Sequence, residues 1–246
     1  MTAKIYLNVP YAEKDSAKSI GACWDAKIKK WYFEGPIEAF SKFGKWIAEG
    51  REQTLIIFEN FCIIEALRMC FRCNKKTRVI GFGVWDHSWL IDEDNGTYSI
   101  KDFEDYPEME DDIHLAWTED ENNVPPLLLS YLKSKYNVKT GHSNVAGKCF
   151  ANHCDHCGVI QGNNYLFSEM GSPLSTETPV EEELIERMKQ LKIYNVYTDT
   201  ALPLNWDITY CSNDWAYVAY GNKPFEHLIL PGTEDMFTSY SEMFKI

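Results

Sequence analysis

Apolar and polar positions alternate at the start of the chain, where Ile5, Leu7 and Val9 take every second place. That period belongs to a half-buried strand, and Pro10 ends it. Residues 12–20 then read as a short helix, with Gly21 as a natural stop because glycine tolerates positive φ. Residues 22–24 and 31–33 read as two strands joined by the polar turn 25–30. The unit is β-α-β-β, with Trp24, Trp31 and Tyr32 available to cover its helix. Pro36 suits the first turn of a second helix. Phe40, Phe43 and Ile47 fall on one face of it, and Gly50 ends it. Residues 54–58 and 78–84 are apolar enough for strands, and 125–136 carries Leu128, Tyr131 and Leu132 at helical spacing. Thr178, Pro179 and Glu181 predict a capping box opening a helix that runs to about Leu191. Residues 193–197, 208–211, 215–220 and 227–230 read as strands, the last three as a small antiparallel meander. Together these elements predict an α+β fold.

Composition changes that picture little: 45% hydrophobic and 25% charged is ordinary for a globular chain. The 246 residues suffice for one large domain or two small ones. No apolar run reaches the ~18 residues of a membrane helix. Residues 1–9 are too short and too polar for a signal peptide. The expectation is a cytoplasmic protein with no membrane partner. Charge changes it more. The net charge is −13, yet residues 1–50 carry eight lysines against six acids. Residues 85–123 carry fourteen acids against Lys101 alone and have a weak hydrophobic pattern. The plain reading of 85–123 is a solvated insertion. The sharper one is an acidic surface that repels or mimics nucleic acid and docks on a basic protein partner.

Of the eight cysteines, four form two C-x-x-C knuckles, Cys70/Cys73 and Cys154/Cys157. Two such turns supply the four thiolates of a closed tetrahedral Zn²⁺ shell, which stabilises a fold and has no open position for catalysis. Two other readings fit the same residues: unrelated buried thiols, or a redox couple. Cys149, His153 and His156 are reserve ligands. Cys23, Cys62 and Cys211 are expected to be plain buried thiols, and a Cys211–His227 pair near Asp214 is read as core packing. The segment opening at Asp92 resembles a calcium loop, but its glycine is one place early and Phe103 stands where a ligating Glu is needed. No zinc-deaminase, Walker, dinucleotide or nucleophile-elbow motif is present.

Tyr6-Leu7-Asn8-Val9-Pro10-Tyr11, Glu13-Lys14, Ala17-Lys18, Gly21-Ala22, Trp24-Asp25 and Lys30-Trp31-Tyr32 form a recognisable pattern. It resembles a short domain of unknown function in bacterial, plasmid and phage proteins, found beside primase-, helicase- and DNA-transfer-type modules. It is also similar to the small substrate-recognition repeat of annealing helicases. Cys23 departs from the pattern by standing where that domain has Arg or Lys. Within 70–169, Ala151-Asn152-His153-Cys154, Cys157-Gly158 and Gln161-Gly162-Asn163-Asn164-Tyr165 resemble the second half of an uncharacterised bacterial zinc-ribbon-like domain. That resemblance implies zinc and no activity.

The expected organisation is a β-α-β-β module at 1–50, then a zinc-stabilised mixed α/β body with antiparallel strands. The body comprises a zinc-ribbon-like domain at 51–177, with the acidic insertion at 85–123, and a C-terminal α+β segment at 178–246 packed on it. Three functions compete. The first is a non-catalytic accessory that contacts DNA or RNA through Lys27, Lys29, Lys30, Trp24 and Trp31. The second is an anti-defence or immunity-like inhibitor acting through 85–123. The third is an enzyme with an unrecognised site.

Overall fold

The computed structural model describes residues 1–94, 96–102, 112–178, 180–223 and 225–228. The N-terminal module is β-α-β-β. Strand β1 (Thr2–Leu7) leads through a 3₁₀ turn at Tyr11–Glu13 into helix α1 (Lys14–Ser19), then β2 (Cys23–Asp25) and β3 (Lys30–Pro36). The sheet order is β1-β3-β2, antiparallel throughout. Gly21, at φ 107°, lets the chain turn off α1. The Ala22 amide then reaches Ala17 O and the Gly21 amide reaches Lys18 O, a Schellman closure. Asp25 organises the β2–β3 turn. Its carboxylate accepts the amides of Lys27 and Ile28 at 2.9 and 3.1 Å and the Tyr6 hydroxyl at 3.1 Å. These bonds, the Ile28 amide first, hold its pKa below the usual carboxylate range.

The second helix begins after Pro36, but Ile37–Phe43 is 3₁₀ and only α2 (Gly44–Ala48) is α. The reason lies in the spacing. Ile37, Phe40 and Phe43 recur every third residue, so a three-fold helix puts all three on its buried face. Trp46 Nε1 donates to Glu13 at 2.7 Å and the Asn8 amide to Trp46 O at 3.0 Å, which closes the helix onto the module.

Two further sheets follow. The first has the order β13 (Leu202–Leu204), β4 (Gln53–Ile57), β7 (His87–Asp92), β8 (Tyr98–Asp102). The second has the order β14 (Asp207–Thr209), β9 (His114–Trp117), β6 (Lys76–Val84), β5 (Asn60–Met69), β12 (Lys192–Tyr197), β15 (Glu226–His227). Helix α3 (Pro126–Lys135) precedes the hairpin β10 (Val138–Ser143) and β11 (Gly147–Asn152); α4 (Glu181–Met188) and α5 (Trp215–Tyr220) complete the body. Strands from 51–177 and from 178–228 share both sheets. No helix among the described residues is long and apolar enough to cross a membrane.

Several elements differ from the sequence reading. The hydrophobic pattern does not predict strand β5, although it lies between β6 and β12 near the centre of its sheet. Where the hydrophobic pattern is weak, between 85 and 123, the chain supplies β7, β8 and β9. Residues 215–220 form helix α5 rather than a strand, with Ala216 and Tyr217 buried. The expected meander does not form: β14 pairs with β9, and β15 runs parallel to β12. Thr178 accepts the Val180 amide at 3.3 Å instead of capping α4, whose N-cap is Val180. Pro179 and positions 229–230 of the expected last strand lie outside the described residues.

The four-stranded sheet is buried on both faces, and its alternation assigns each face a core. Leu55 and Ile57 pack with β5, β6 and α3. Ile56 and Leu90 pack with Phe40, Phe43 and Ile47 of the N-terminal module. Gly44 marks a close approach across this second core, since a Cβ there would meet the Tyr98 ring close to its root. Gly44→Ala therefore overpacks the junction. We expect a loss of about 1–3 kcal/mol in urea denaturation; an unchanged midpoint would mean that the module does not pack tightly against β8.

Candidate metal centre and neighbouring clusters

The first C-x-x-C knuckle is the tip of the β5–β6 hairpin, and the second follows β11. They are built alike. The Cys70 amide donates to Lys75 O at 2.9 Å and the Asn74 amide to Cys70 O at 2.9 Å. The Cys154 amide donates to Val159 O at 2.8 Å and the Gly158 amide to Cys154 O at 3.0 Å. Asn74 and Gly158, each one residue past its knuckle, both have positive φ, 52° and 71°. Both residue types enter the left-handed region readily. Each turn thus aims two sulfurs the same way.

The four Sγ atoms lie within 4.8 Å of one another. Cys70 to Cys157 and Cys73 to Cys154 are both 3.7 Å. A tetrahedron with metal–sulfur bonds of ~2.3 Å has edges of roughly 3.8 Å, so this spacing suits a thiophilic dication. Burial tends to raise the Cys70 thiol, but the amides of Cys73 and Arg72 and the Cys154 side chain outweigh it and bring Cys70 down to about 6. Cys73 is pushed up to about 11: the Lys75 amide lowers it, while burial and the three neighbouring thiols raise it more. Cys70 and Cys154 are thus drawn towards the thiolate while Cys73 is held as a thiol, a conflict that a bound cation removes.

The surroundings fix the two knuckles to each other. The Asp155 amide donates to Thr77 Oγ1 at 2.9 Å, and its carboxylate accepts the Arg78 amide and Nε at 3.2 and 3.3 Å. Gln161 Nε2 donates to Cys70 Sγ at 3.5 Å. The reserve ligands are engaged elsewhere: His153 Nδ1 with Ala151 O, His156 Nε2 with Lys76 O, and Cys149 inside β11. Cys62 is a plain buried thiol, pushed up to about 12 by burial. Cys23 is exposed, which corrects the expectation of a buried thiol; its short edge strand leaves it outside the core.

The N-terminal residues gather as well. Trp24 and Trp31 are cross-strand partners, with ring centroids 5.6 Å apart in an edge-to-face contact. Trp31 packs partly on the core, but Trp24 is 51% exposed. Lys27, Lys29 and Lys30 are exposed on the same turn, Lys29 at φ 60°.

A buried polar cluster has no counterpart in the sequence reading. His114 Nδ1 and Asp214 Oδ2 are 2.8 Å apart and each side chain is 1% exposed. Thr176 Oγ1 and the Cys211 amide complete the carboxylate at 2.7 and 3.0 Å. Beside it, His87 Nδ1 meets Trp85 O at 2.7 Å and Nε2 meets the Tyr210 hydroxyl at 2.8 Å. A carbonyl only accepts, so Nδ1 carries the proton and the Tyr210 hydroxyl donates to Nε2. His227 stacks on Tyr197 rather than joining Cys211. One hundred residues separate His114 from Asp214, so no local pattern announces the pair.

Comparison with known proteins bears on the N-terminal module. A family described as "Domain of unknown function (DUF5710)" matches residues 4–48. Two Escherichia coli proteins named "DNA primase TraC" match the same region. One is 43% identical over 47 residues, 19% of this chain and 4% of that protein. The other is 51% identical over 41 residues, 17% of this chain and 3% of that protein. The chain thus spans a small fraction of the curated relatives it matches. No solved structure matches.

His87 supplies a pH test. Burial holds its pKa at about 4, against 6.5 for an open histidine; the Trp85 carbonyl raises it and His114 lowers it further. The unfolded chain therefore binds the extra proton between those values, and stability falls as pH drops from 6.5 towards 4. Between pH 7 and pH 5 this group alone should remove about 2 kcal/mol. His87→Gln should show a correspondingly shallower decline in urea denaturation, and equal declines in both proteins would refute the assignment.

Proposed function

We propose that this chain is a non-catalytic accessory protein, stabilised by zinc at Cys70, Cys73, Cys154 and Cys157, that contacts nucleic acid through its N-terminal module. The exposed Trp24, braced against Trp31 beside Lys27, Lys29 and Lys30, is the observation that carries this reading. A solvent-facing indole on a small sheet offers a stacking face to any base, and lysines around it neutralise phosphates without reading sequence. The matched segment of proteins named DNA primase TraC includes this surface, which supports the same context. The net charge of −13 opposes binding over the whole surface and favours a short local contact.

Zinc is the cation best suited to four thiolates at this spacing. Its role is structural, because four protein ligands fill the shell. It joins the β5–β6 hairpin to the segment after β11, so its removal loosens the body rather than stopping a reaction.

Two measurements test these assignments. Mass spectrometry under native conditions should find a single zinc per chain, lost in Cys70→Ser/Cys154→Ser. Chelation should lower the thermal midpoint steeply. A metal-free chain with an unchanged midpoint would sink the structural role.

For nucleic acid, anisotropy of a labelled single-stranded oligonucleotide at two salt concentrations is decisive. Trp24→Ala should weaken binding by about 1–3 kcal/mol. Lys29→Glu/Lys30→Glu should also flatten the salt dependence, and Cys23→Arg should strengthen binding. Affinity indifferent to all three would remove the N-terminal surface from the reading.

A further inference from the structure

The chain is acidic as a whole but not around its cysteine knuckles. Residues 66–78 contain five cations, Arg68, Arg72, Lys75, Lys76 and Arg78, and no acid. Residues 122–154 contain four lysines and no acid. The fold brings these two stretches together. The sulfurs of Cys70 and Cys73 meet those of Cys154 and Cys157. Arg78 lies over the Tyr136 ring at 5.4 Å, and Asn137 Nδ2 donates to Cys154 O at 2.8 Å. Lys139, exposed on β10, acts through space on His153 beside the second knuckle.

Some of these cations are already engaged. Arg68 donates to Tyr165 O at 3.3 Å, Arg78 pairs with Asp155 and Lys133 with Glu121. Arg72, Lys75 and Lys76 are exposed at the tip of the β5–β6 hairpin, and among the described residues no hydrogen bond or ion pair engages their side chains. The same turn carries Phe71, 66% exposed. Phe71 and Arg72 are the two residues between the ligating Cys70 and Cys73, so coordination would fix the backbone that presents them. The tip therefore holds an aromatic ring out into solvent among unpaired cations. Four thiolates around a dication leave two negative charges behind this surface, and Asp155 is spent on Arg78. The three free cations and Lys139 outweigh them, while acids more than about 10 Å away are largely screened at ordinary salt.

We propose that this hairpin tip is a second contact for single-stranded nucleic acid, separate from the N-terminal module. An unpaired base stacks on Phe71, and the phosphates on either side of it lie on Arg72, Lys75 and Lys76. Stacking is tolerant of sequence because every base has a π-face, and the lysines gain by releasing counterions from the strand. Arg72 adds a planar fork suited to two phosphate oxygens. A duplex would use the cations but offer Phe71 no free base, and an acidic polypeptide would likewise leave the ring without a stacking partner. A single strand uses both features. The surface does not depend on Trp24, so either contact can fail without the other.

The test uses the full zinc-loaded chain and a labelled oligothymidylate, with anisotropy read at two salt concentrations. Phe71→Ala should weaken binding ~5-fold or more, and Phe71→Tyr should keep it. Lys75→Gln/Lys76→Gln should reduce the slope of log affinity against log salt by roughly 1.4, the share of two phosphates on a single strand. None of these residues is a ligand or part of the core, so zinc content by native mass spectrometry and the circular dichroism spectrum should stay unchanged. The same substitutions should weaken binding further in a Trp24→Ala background. Dependence on Phe71 and the two lysines without dependence on Trp24 would keep this contact and retire the N-terminal one. Dependence on Trp24 alone would do the reverse. An equally tight duplex would overturn the proposal, and so would polyglutamate competing as well as the oligonucleotide at equal charge, which would indicate an acidic protein partner. No binding at low salt would sink both contacts.

Discussion

The pairing of β5 with β6 is the constraint on which most of this molecule depends. It holds nine residue pairs in register, from Phe61 opposite Val84 to Met69 opposite Lys76. A slip of one residue would turn every side chain to the other face. Phe61, Ile63, Ile64, Val79, Ile80 and Phe82 are all fully buried, so neither face would accept such a slip. The same register puts Cys70 and Cys73 at the hairpin tip. It also aligns Ile80 with Asn152, whose side-chain amide bonds both the Ile80 N–H and C=O at 2.8 Å. One hairpin thus sets the central sheet, the first knuckle and the anchor for β11.

Polar groups inside the body act as fixed points between segments distant in sequence. Asp214 gathers His114, Thr176 and Cys211 from three separate stretches of chain. Glu65 accepts the Tyr136 hydroxyl at 3.0 Å, tying the end of α3 to the middle of β5. Such bonds add little net stability when made and cost a great deal when broken. They therefore select this arrangement over other compact packings of the same apolar side chains.

The sequence made the N-terminal module legible because its signals are local: alternation at Ile5 and Leu7, a glycine after α1, a polar turn before Lys30. The cysteine knuckles were legible for the same reason, each being a four-residue pattern. Strand β5 was not, since Glu65-Ala66-Leu67-Arg68-Met69 is a run of strong helix formers held extended by tertiary pairing. Helix α5 is the mirror case, where an alternating Trp-Ala-Tyr-Val-Ala-Tyr run helixes to bury Ala216 and Tyr217. The exposure of Trp24 and Cys23 depends on their short edge strand, which composition does not reveal. The pair His114 and Asp214 is a hundred positions apart, and no window of sequence contains it.

The sheet order also has a consequence for synthesis. Cys62 on β5 meets Asn195 on β12 although 133 positions separate them. A ribosome releases β5 long before its neighbour on that side exists. During that interval an apolar strand edge faces the cell with nothing beside it, the situation in which nascent chains aggregate or recruit chaperones. Much of the chain's pairing is of this long-range kind, which places it among the slower folders. The hairpin tip and the segment after β11, by contrast, are both available once residue 157 has emerged. Coordination there would staple the early half of the body while the remaining strands are still being made.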